Sequence, residues 1–261
     1  FQYLDQTKPT YEQLSTTDGI LSPKLSLFYQ VSNGWQLYAR AARGFHSNDT
    51  RLILEQQVGS SLPAAISFDL GALFRTGDRL VWQINAWQLD LEQEFVYVGD
   101  EGVVEPSGET IRRGLEGMAR WQMGKYLFAD ANVTYTHARS KTTEAADRIP
   151  LAPIWTSTGG LSYSPAEGWQ ASLRYRLLGD RPADEANTLT ASGYFLLDAN
   201  LGYQGRNYFV GLSAENILDE QWNEAQFATE TRLANETETF EEIHFTPGTP
   251  FSLRGKVVLY F

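Results

Sequence analysis

Acidic side chains are concentrated between residues 216 and 250 of this 261-residue chain, where eight carboxylates accompany a single base, Arg232. Carboxylate oxygens and imidazole nitrogens both suit divalent metals. Glu241, Glu242 and His244 are close in sequence and are therefore candidate ligands for a cation, although the residue types do not specify which metal. The alternative is a solvated acidic loop in contact with divalent ions of its surroundings, or with nothing specific.

A second group of polar residues lies in the segment RGFHSNDTR. His46, Asn48, Asp49 and Arg51 come where an alternating segment gives way to a long connection, so their side chains can contact a ligand. The alternative is an Asx turn with an exposed imidazole, because Asn and Asp side chains bond readily to nearby backbone.

Arg174 and Arg176 lie two residues apart and share one face of a predicted strand. Together they can bind an anion. The alternative is that they pair with Asp or Glu side chains of neighbouring strands.

The chain shows no combination of nucleophile and base that suits catalysis. It has no cysteine, which excludes thiol nucleophiles, disulfides and thiolate metal sites. The segment GLSAEN lacks the G-x-S-x-G spacing of a nucleophile elbow. We therefore predict a protein that is not an enzyme and has no cofactor.

Charge and hydropathy limit the possible partners. The formal net charge of -11 argues against binding to nucleic acid, which needs a basic surface. The mean hydropathy is -0.34 and no long apolar run occurs, which excludes a transmembrane helix. A membrane-spanning β-barrel stays open, because its strands show only alternating segments of about ten residues.

Alternation of apolar and polar residues recurs along most of the chain and predicts strands. In WQASLRYRLL, for example, Trp169, Ala171 and Leu173 share one face, while Gln170 and Ser172 lie on the other. Twelve strands are predicted, at residues 1–4, 24–31, 35–43, 64–74, 80–98, 109–122, 126–138, 154–163, 169–178, 194–203, 208–215 and 251–261.

Short and long connections alternate between these predicted strands. Tight turns rich in Gly, Asn, Asp, Pro and Ser alternate with long connections at 44–63, 99–108, 139–153, 179–193 and 216–250. An up-and-down antiparallel barrel places all tight turns at one end and all long loops at the other. The sequence therefore predicts an all-β transmembrane barrel wall, and Trp and Tyr near both ends of the strands fit girdles at two membrane interfaces.

Four segments resemble the C-terminal half of TonB-dependent outer-membrane receptors: a strand leading into RGFHSND, a G-x-E strand in RRGLEG, an Asn-containing turn in AENILDEQW, and the terminal FSLRGKVVLYF. Each motif is short, but the four occur in the family's order over nearly the whole chain. The resemblance implies a 22-stranded barrel with an N-terminal plug domain, so residues 1–261 are expected to be the C-terminal portion of a longer receptor, without the plug.

The resemblance also implies function and location. The protein is expected in the bacterial outer membrane, where such receptors bind a ferric siderophore, another metal chelate, haem or cobalamin and import it with energy supplied by the TonB complex. Phe261 is expected to be a signal for the outer-membrane assembly machinery. Two alternatives are a passive twelve-stranded pore or translocator barrel and a soluble lectin-like β module, against which the apolar faces argue.

Overall fold

The computed structural model describes residues 19–45, 62–93, 95–98, 103–106, 108–141 and 146–261. Every regular element in these ranges is a β-strand, and no helix there is long and apolar enough to cross a membrane. The strands are β1 (Lys24–Ser32), β2 (Trp35–Phe45), β3 (Ala64–Thr76), β4 (Leu80–Leu91), β5 (Phe95–Val98), β6 (Val103–Pro106), β7 (Thr110–Gln122), β8 (Leu127–Ser140), β9 (Trp155–Tyr163), β10 (Gly168–Leu178), β11 (Arg181–Pro182), β12 (Thr190–Ala191), β13 (Tyr194–Gln204), β14 (Tyr208–Glu215), β15 (Asn223–Thr231), β16 (Phe240–Pro247) and β17 (Ser252–Leu259).

Eleven of these strands form one antiparallel sheet, which we call the wall. Its order is β1-β2-β3-β4-β7-β8-β9-β10-β13-β14-β17, so each strand pairs with the wall strand that follows it in the chain. The predicted up-and-down order is therefore confirmed. Tight turns at one end of the wall, the turn end, alternate with long connections at the other, the loop end. Within the described residues β1 and β17 form the two edges of the wall, and the barrel is not closed.

The two faces of the wall differ in chemistry, because alternate residues of a strand point to opposite sides. Residues that pair across the strands show this directly. One face, the apolar face, has a row of Ala39, Leu70, Ala86, Leu115 and Tyr135. On the other, the polar face, the corresponding row one residue along is Tyr38, Gly71, Asn85, Glu116 and Thr134.

Aromatic rings form contacts at two levels, as the sequence predicts. At the turn end, Phe74 meets Trp35 edge-on at 4.3 Å between ring centroids and stacks on Trp82 at 3.8 Å. At the loop end, the Tyr135 and Trp155 rings lie 4.8 Å apart. Indole and phenol rings have an apolar body and a polar edge, so these two levels suit the two interfaces of a bilayer.

Two predicted boundaries are wrong. The strand predicted over 80–98 leaves the wall at Leu91, and residues 95–98 pair instead with 103–106 in a separate hairpin. The stretch 216–250, predicted as a loop, contains the hairpin of β15 and β16, which we call the outer hairpin. The strand predicted at 1–4 lies outside the described residues.

Candidate functional site

The outer hairpin is fixed to the wall at its base by Asn216. This residue adopts a left-handed backbone conformation with φ of 50°, which Asn tolerates better than most residues. Its amide nitrogen donates to the backbone oxygens of Glu220 at 2.9 Å and Thr249 at 3.2 Å, and its Oδ1 accepts the Glu220 N–H at 2.9 Å. One buried side chain thus joins the two ends of the hairpin.

Neighbouring residues reinforce this base. Asp219 is also left-handed, with φ of 51°, and its carboxylate accepts the N–H of Phe251 at 3.1 Å. Trp222 donates its indole N–H to the Thr249 oxygen at 3.0 Å. A Cβ at Gly248 would overlap the Trp222 ring, so only glycine lets this indole lie flat against the returning chain. The segment ENILD, residues 215–219, therefore fixes the base of the outer hairpin to the wall.

The outer hairpin packs against the connection at 179–193, which is in turn bonded to residues 146–154, and together these three segments form what we call the loop cluster. Gln226, 3% exposed, accepts the Ser192 N–H at 3.0 Å and donates to the Ser192 oxygen at 2.8 Å. Backbone bonds from Leu151 to Pro182 and from Arg148 to Glu185 link the other two segments. Buried backbone is satisfied across segments, which holds the loop cluster together.

Asp184 organises the turn inside this cluster. Its carboxylate accepts hydrogen bonds from the Thr188 N–H at 2.9 Å, the Thr188 hydroxyl at 2.8 Å and the Leu189 N–H. Burial alone would raise the pKa of this carboxyl, but the hydrogen bonds outweigh it and the pKa of Asp184 lies below its ordinary value. The turn is therefore built on an ionised carboxylate.

Below the loop cluster, a cation and two aromatic rings meet on the polar face. Trp222 lies edge-on to Tyr194 with 4.8 Å between ring centroids, and the Arg176 guanidinium lies 5.9 Å from the Trp222 ring. Arg176 remains exposed. An exposed guanidinium beside aromatic rings is suited to binding an anionic, partly apolar ligand.

Arg174, by contrast, is occupied. Its guanidinium forms two hydrogen bonds with the carboxylate of Asp130 on β8, one of them at 3.0 Å. To reach Asp130, the Arg174 side chain crosses strand β9, which lies between β8 and β10. Gly160 makes the passage possible, since a Cβ there would press on the Arg174 side chain. Arg174 therefore pairs with an acid, as in the alternative reading, but the acid belongs to β8, the strand beyond the neighbouring β9.

Glu241, Glu242 and His244 do not converge. Glu242 and His244 share one face of the outer hairpin, with 3.4 Å between His244 Nε2 and a Glu242 oxygen. Glu241 points to the opposite face, directly across from Glu230. In the part of the chain that the structure describes, no three His, Asp or Glu side chains are grouped so as to hold a metal ion.

The other candidate residues stay predictions. His46, Asn48, Asp49 and Arg51 lie outside the described residues, so their role stays a prediction. Phe261 is fully exposed beyond the end of β17, and its role in assembly also stays a prediction.

Sequence reasoning missed a polar network on the wall. Gln83 donates to the Tyr38 hydroxyl at 2.8 Å, this hydroxyl donates to Asn85 at 3.2 Å, and Asn85 donates to Asp69 at 3.2 Å. Gly71 leaves the room that the Tyr38 ring fills. The signal that could have revealed it is the occurrence of Asn, Asp and Gly at polar-face positions of long strands.

Comparison with known proteins places this wall in a family. Residues 2–217 match the family model described as TonB dependent receptor-like, beta-barrel. The pesticin receptor of Yersinia enterocolitica is 22% identical over 82% of this chain and 33% of its own length, and the ferrioxamine receptor of that organism is 32% identical over 48% of this chain and 19% of its own. The crystal structure of an unliganded ferric citrate transporter superposes with a TM-score of 0.70 at 20% identity, covering 89% of this chain and 37% of that one.

The chain thus spans about a third of the length of the pesticin receptors that it matches. The family consists of outer-membrane receptors and not enzymes, in agreement with the prediction made from the residues. In such a barrel the apolar face of the wall contacts lipid and the polar face lines the interior. This chain belongs to the family of TonB-dependent receptor-like β-barrels.

Proposed function

We propose that the protein is an outer-membrane receptor that binds a metal chelate at the loop end and imports it with energy supplied through TonB. Residues 1–261 would form the C-terminal part of the barrel wall of a longer receptor that also carries the plug. The observation that carries the proposal is the contact of Arg176 with Trp222 on the interior face, directly below the loop cluster.

The arrangement suits capture of a chelate. Between its two edge strands the wall satisfies its backbone hydrogen bonds by strand pairing, as a structure crossing hydrocarbon must. The Thr249 oxygen and the chain at Gly248 hold Trp222 in place, so Arg176 and Tyr194 present a preformed cation and ring to the interior. An anionic ferric chelate would gain charge-assisted hydrogen bonds from the guanidinium and contact with the rings.

Relatives support an iron chelate as the cargo. The names of two similar proteins refer to ferrioxamine and ferric citrate. The connection that follows β2 would add contacts to the cargo from His46, Asn48, Asp49 and Arg51. At the end of the outer hairpin, the carboxylates, together with Glu241, Glu242 and His244, would set the electrostatic potential at the entrance. Phe261 would direct the chain to the assembly machinery.

Uptake by living cells tests this function. Cells lacking the gene are expected to lose energy-dependent accumulation of one radiolabelled ferric chelate from a panel, and the loss is expected to be reproduced by deleting the tonB gene. A panel in which no metal chelate depends on the gene would overturn the proposal. Uptake that continues without TonB would instead identify a passive pore.

Arg176→Gln tests the site itself. Losing one charge-assisted contact should weaken chelate binding to the purified receptor by roughly tenfold or more, since such contacts contribute about 1.5–3 kcal/mol. Arg206→Gln, at the turn end, is the matched control and should bind as the wild type does. Equal affinity of the Arg176 variant and the control would remove Arg176 from the site.

A further inference from the structure

Arg181 is a buried cation in β11, inside the loop cluster, and only 7% of its surface is exposed. Among the described residues its guanidinium makes one hydrogen bond, from Nη1 to the backbone oxygen of Ser192. At 3.5 Å this bond is long and therefore weak. Arginine is rarely buried unless it is paired, so the position of this guanidinium needs a physical explanation.

The charge of Arg181 is not balanced within the part of the chain that the structure describes. Asp180 precedes it, but the Asp180 carboxylate accepts the Gly193 N–H at 2.7 Å and forms no salt bridge with Arg181. Burial lowers the pKa of the Arg181 guanidinium, and the nearby Tyr194 and Asp180 offset this effect only in part. The protonated side chain therefore loses more through desolvation than it gains from its surroundings.

The side chains on the same face of the β11–β12 pair cannot accept a hydrogen bond from Arg181. Ala191 lies directly opposite it and is 0% exposed, and Ala183, two residues along, is 4% exposed. Methyl groups offer no oxygen or nitrogen to a guanidinium. Most of the N–H donors of Arg181 are thus left beside apolar groups, an arrangement that an added anion would relieve.

The position of Arg181 connects its charge to the packing of the outer hairpin. The Ser192 oxygen that it contacts also accepts the Gln226 side chain at 2.8 Å. We call this pairing of Ser192 with Gln226 the docking contact, because it joins the outer hairpin to the connection at 179–193. Gln226 and Arg181 are buried together here, so the docked arrangement carries the cost of an unpaired charge.

We propose that Arg181 binds an oxyanion, a carboxylate or a phosphate, and that this anion locks the outer hairpin onto the connection at 179–193. A guanidinium binds such oxygens through paired, charge-assisted hydrogen bonds. These bonds are stronger where water is excluded, so the anion prefers the docked arrangement and stabilises it. The proposal does not depend on the identity of the cargo or on the role of Arg176.

Hydrogen exchange of the Ser192 amide tests the lock, because this N–H is bonded to Gln226 in the docked arrangement. The full-length receptor is titrated in mild detergent with sodium acetate or sodium phosphate, while a bulky sulfonate keeps the ionic strength constant. Exchange should slow saturably, by roughly tenfold at ten times the dissociation constant of the anion. A response to acetate alone would identify a carboxylate site, a response to phosphate alone a phosphate site, and a response to both a general oxyanion site.

Arg181→Met separates the charge from the packing. The substitution puts an apolar side chain in place of the buried charge, a change that is often neutral or stabilising. Exchange of Ser192 in the variant should be at least as slow as in the anion-free wild type, and neither acetate nor phosphate should alter it. Arg232→Met, at the exposed tip of the outer hairpin, is the matched control and should respond to both anions as the wild type does.

Three results would overturn the proposal. A wild type that responds to neither anion would mean that Arg181 binds none in the complete receptor. An equal response in Arg181→Met and the control would place the anion elsewhere. Faster exchange in Arg181→Met than in the anion-free wild type would make Arg181 a structural donor to Ser192. Heat-modifiable gel migration identifies variants with a folded barrel, and the wild-type titration provides the test if Arg181→Met does not fold.

Discussion

The outer hairpin contains two regions that differ in how they are held. Its base, from Asn216 to Trp222 and back to Gly248, is tied to the wall by side-chain hydrogen bonds and two left-handed residues. Its tip, residues 231–242, is largely exposed and carries four of the hairpin's carboxylates. The base has the structural constraint and the tip has the charge, so structure and electrostatics can be changed separately.

Asn216→Ala is expected to have the largest effect. It removes three hydrogen bonds that join the two ends of the hairpin, at about 1 kcal/mol each, and leaves a left-handed position to a residue that disfavours it. Hydrogen exchange of amides in 216–250 should become roughly a hundredfold faster.

Asn235→Ala, at the exposed tip, is the control and should leave exchange at the base unchanged. If both variants exchange alike, the base is not the constraint and the comparison fails.

Gln226→Leu tests the contact of the outer hairpin with Ser192, which lies farther from the wall than the Asn216 base. The substitution keeps the volume but leaves the Ser192 N–H and oxygen without their side-chain partner in a buried place, which costs about 2 kcal/mol. Exchange of amides near Ser192 should accelerate, while the Asn216 base stays protected. Gln221→Leu, at an exposed position, should change neither region, and acceleration in both variants would argue against docking through Gln226.

Ionisation of Asp184 in the loop cluster should have a smaller effect on local stability, and the direction in which stability changes with pH follows from its pKa. Because the pKa of Asp184 is depressed in the folded loop, its contribution is present above the ordinary carboxyl pKa and is lost as pH falls through the folded value. The wild type should therefore show faster exchange in 179–193, corrected for intrinsic rates, only below about pH 4.

Asp184→Asn should show this faster exchange at neutral pH already, with little further change on acidification. Asp78→Asn, at the turn end, should follow the wild-type profile. A wild-type profile that opens near neutral pH would point to a different titrating group.

The sequence predicted the wall far better than the loop cluster, for a physical reason. Wall strands such as β10 and β13 are specified by alternation, because lipid lies on one side and a polar interior on the other. In β15 the pattern is reversed: Gln226 is buried and Phe227 is exposed. Its position depends on backbone groups of another segment, at Ser192, which no local pattern encodes. The same holds for Arg174, whose acid partner could be expected but whose path over Gly160 could not.

Neutralising carboxylates of the acidic tip should give the smallest change in stability, and it should change the rate at which a chelate associates. Replacing Glu236, Glu238 and Glu241 by Gln should alter the opening of the hairpin by less than about 0.5 kcal/mol, because Glu238 and Glu241 are exposed and Gln at position 236 can still accept the Leu233 N–H through its side-chain oxygen. Glu241 lies opposite Glu230, so relief of that repulsion would act in the stabilising direction.

Removing three negative charges from the entrance should speed association of an anionic ferric chelate at low ionic strength, and the difference should vanish when salt screens the field. Stopped-flow association rates of the triple variant and wild type at two salt concentrations measure this, with Thr237→Ala as the control at the same tip. A rate difference that persists at high salt would mean that these carboxylates contact the chelate directly, and the separation of charge from structure in the hairpin would no longer hold.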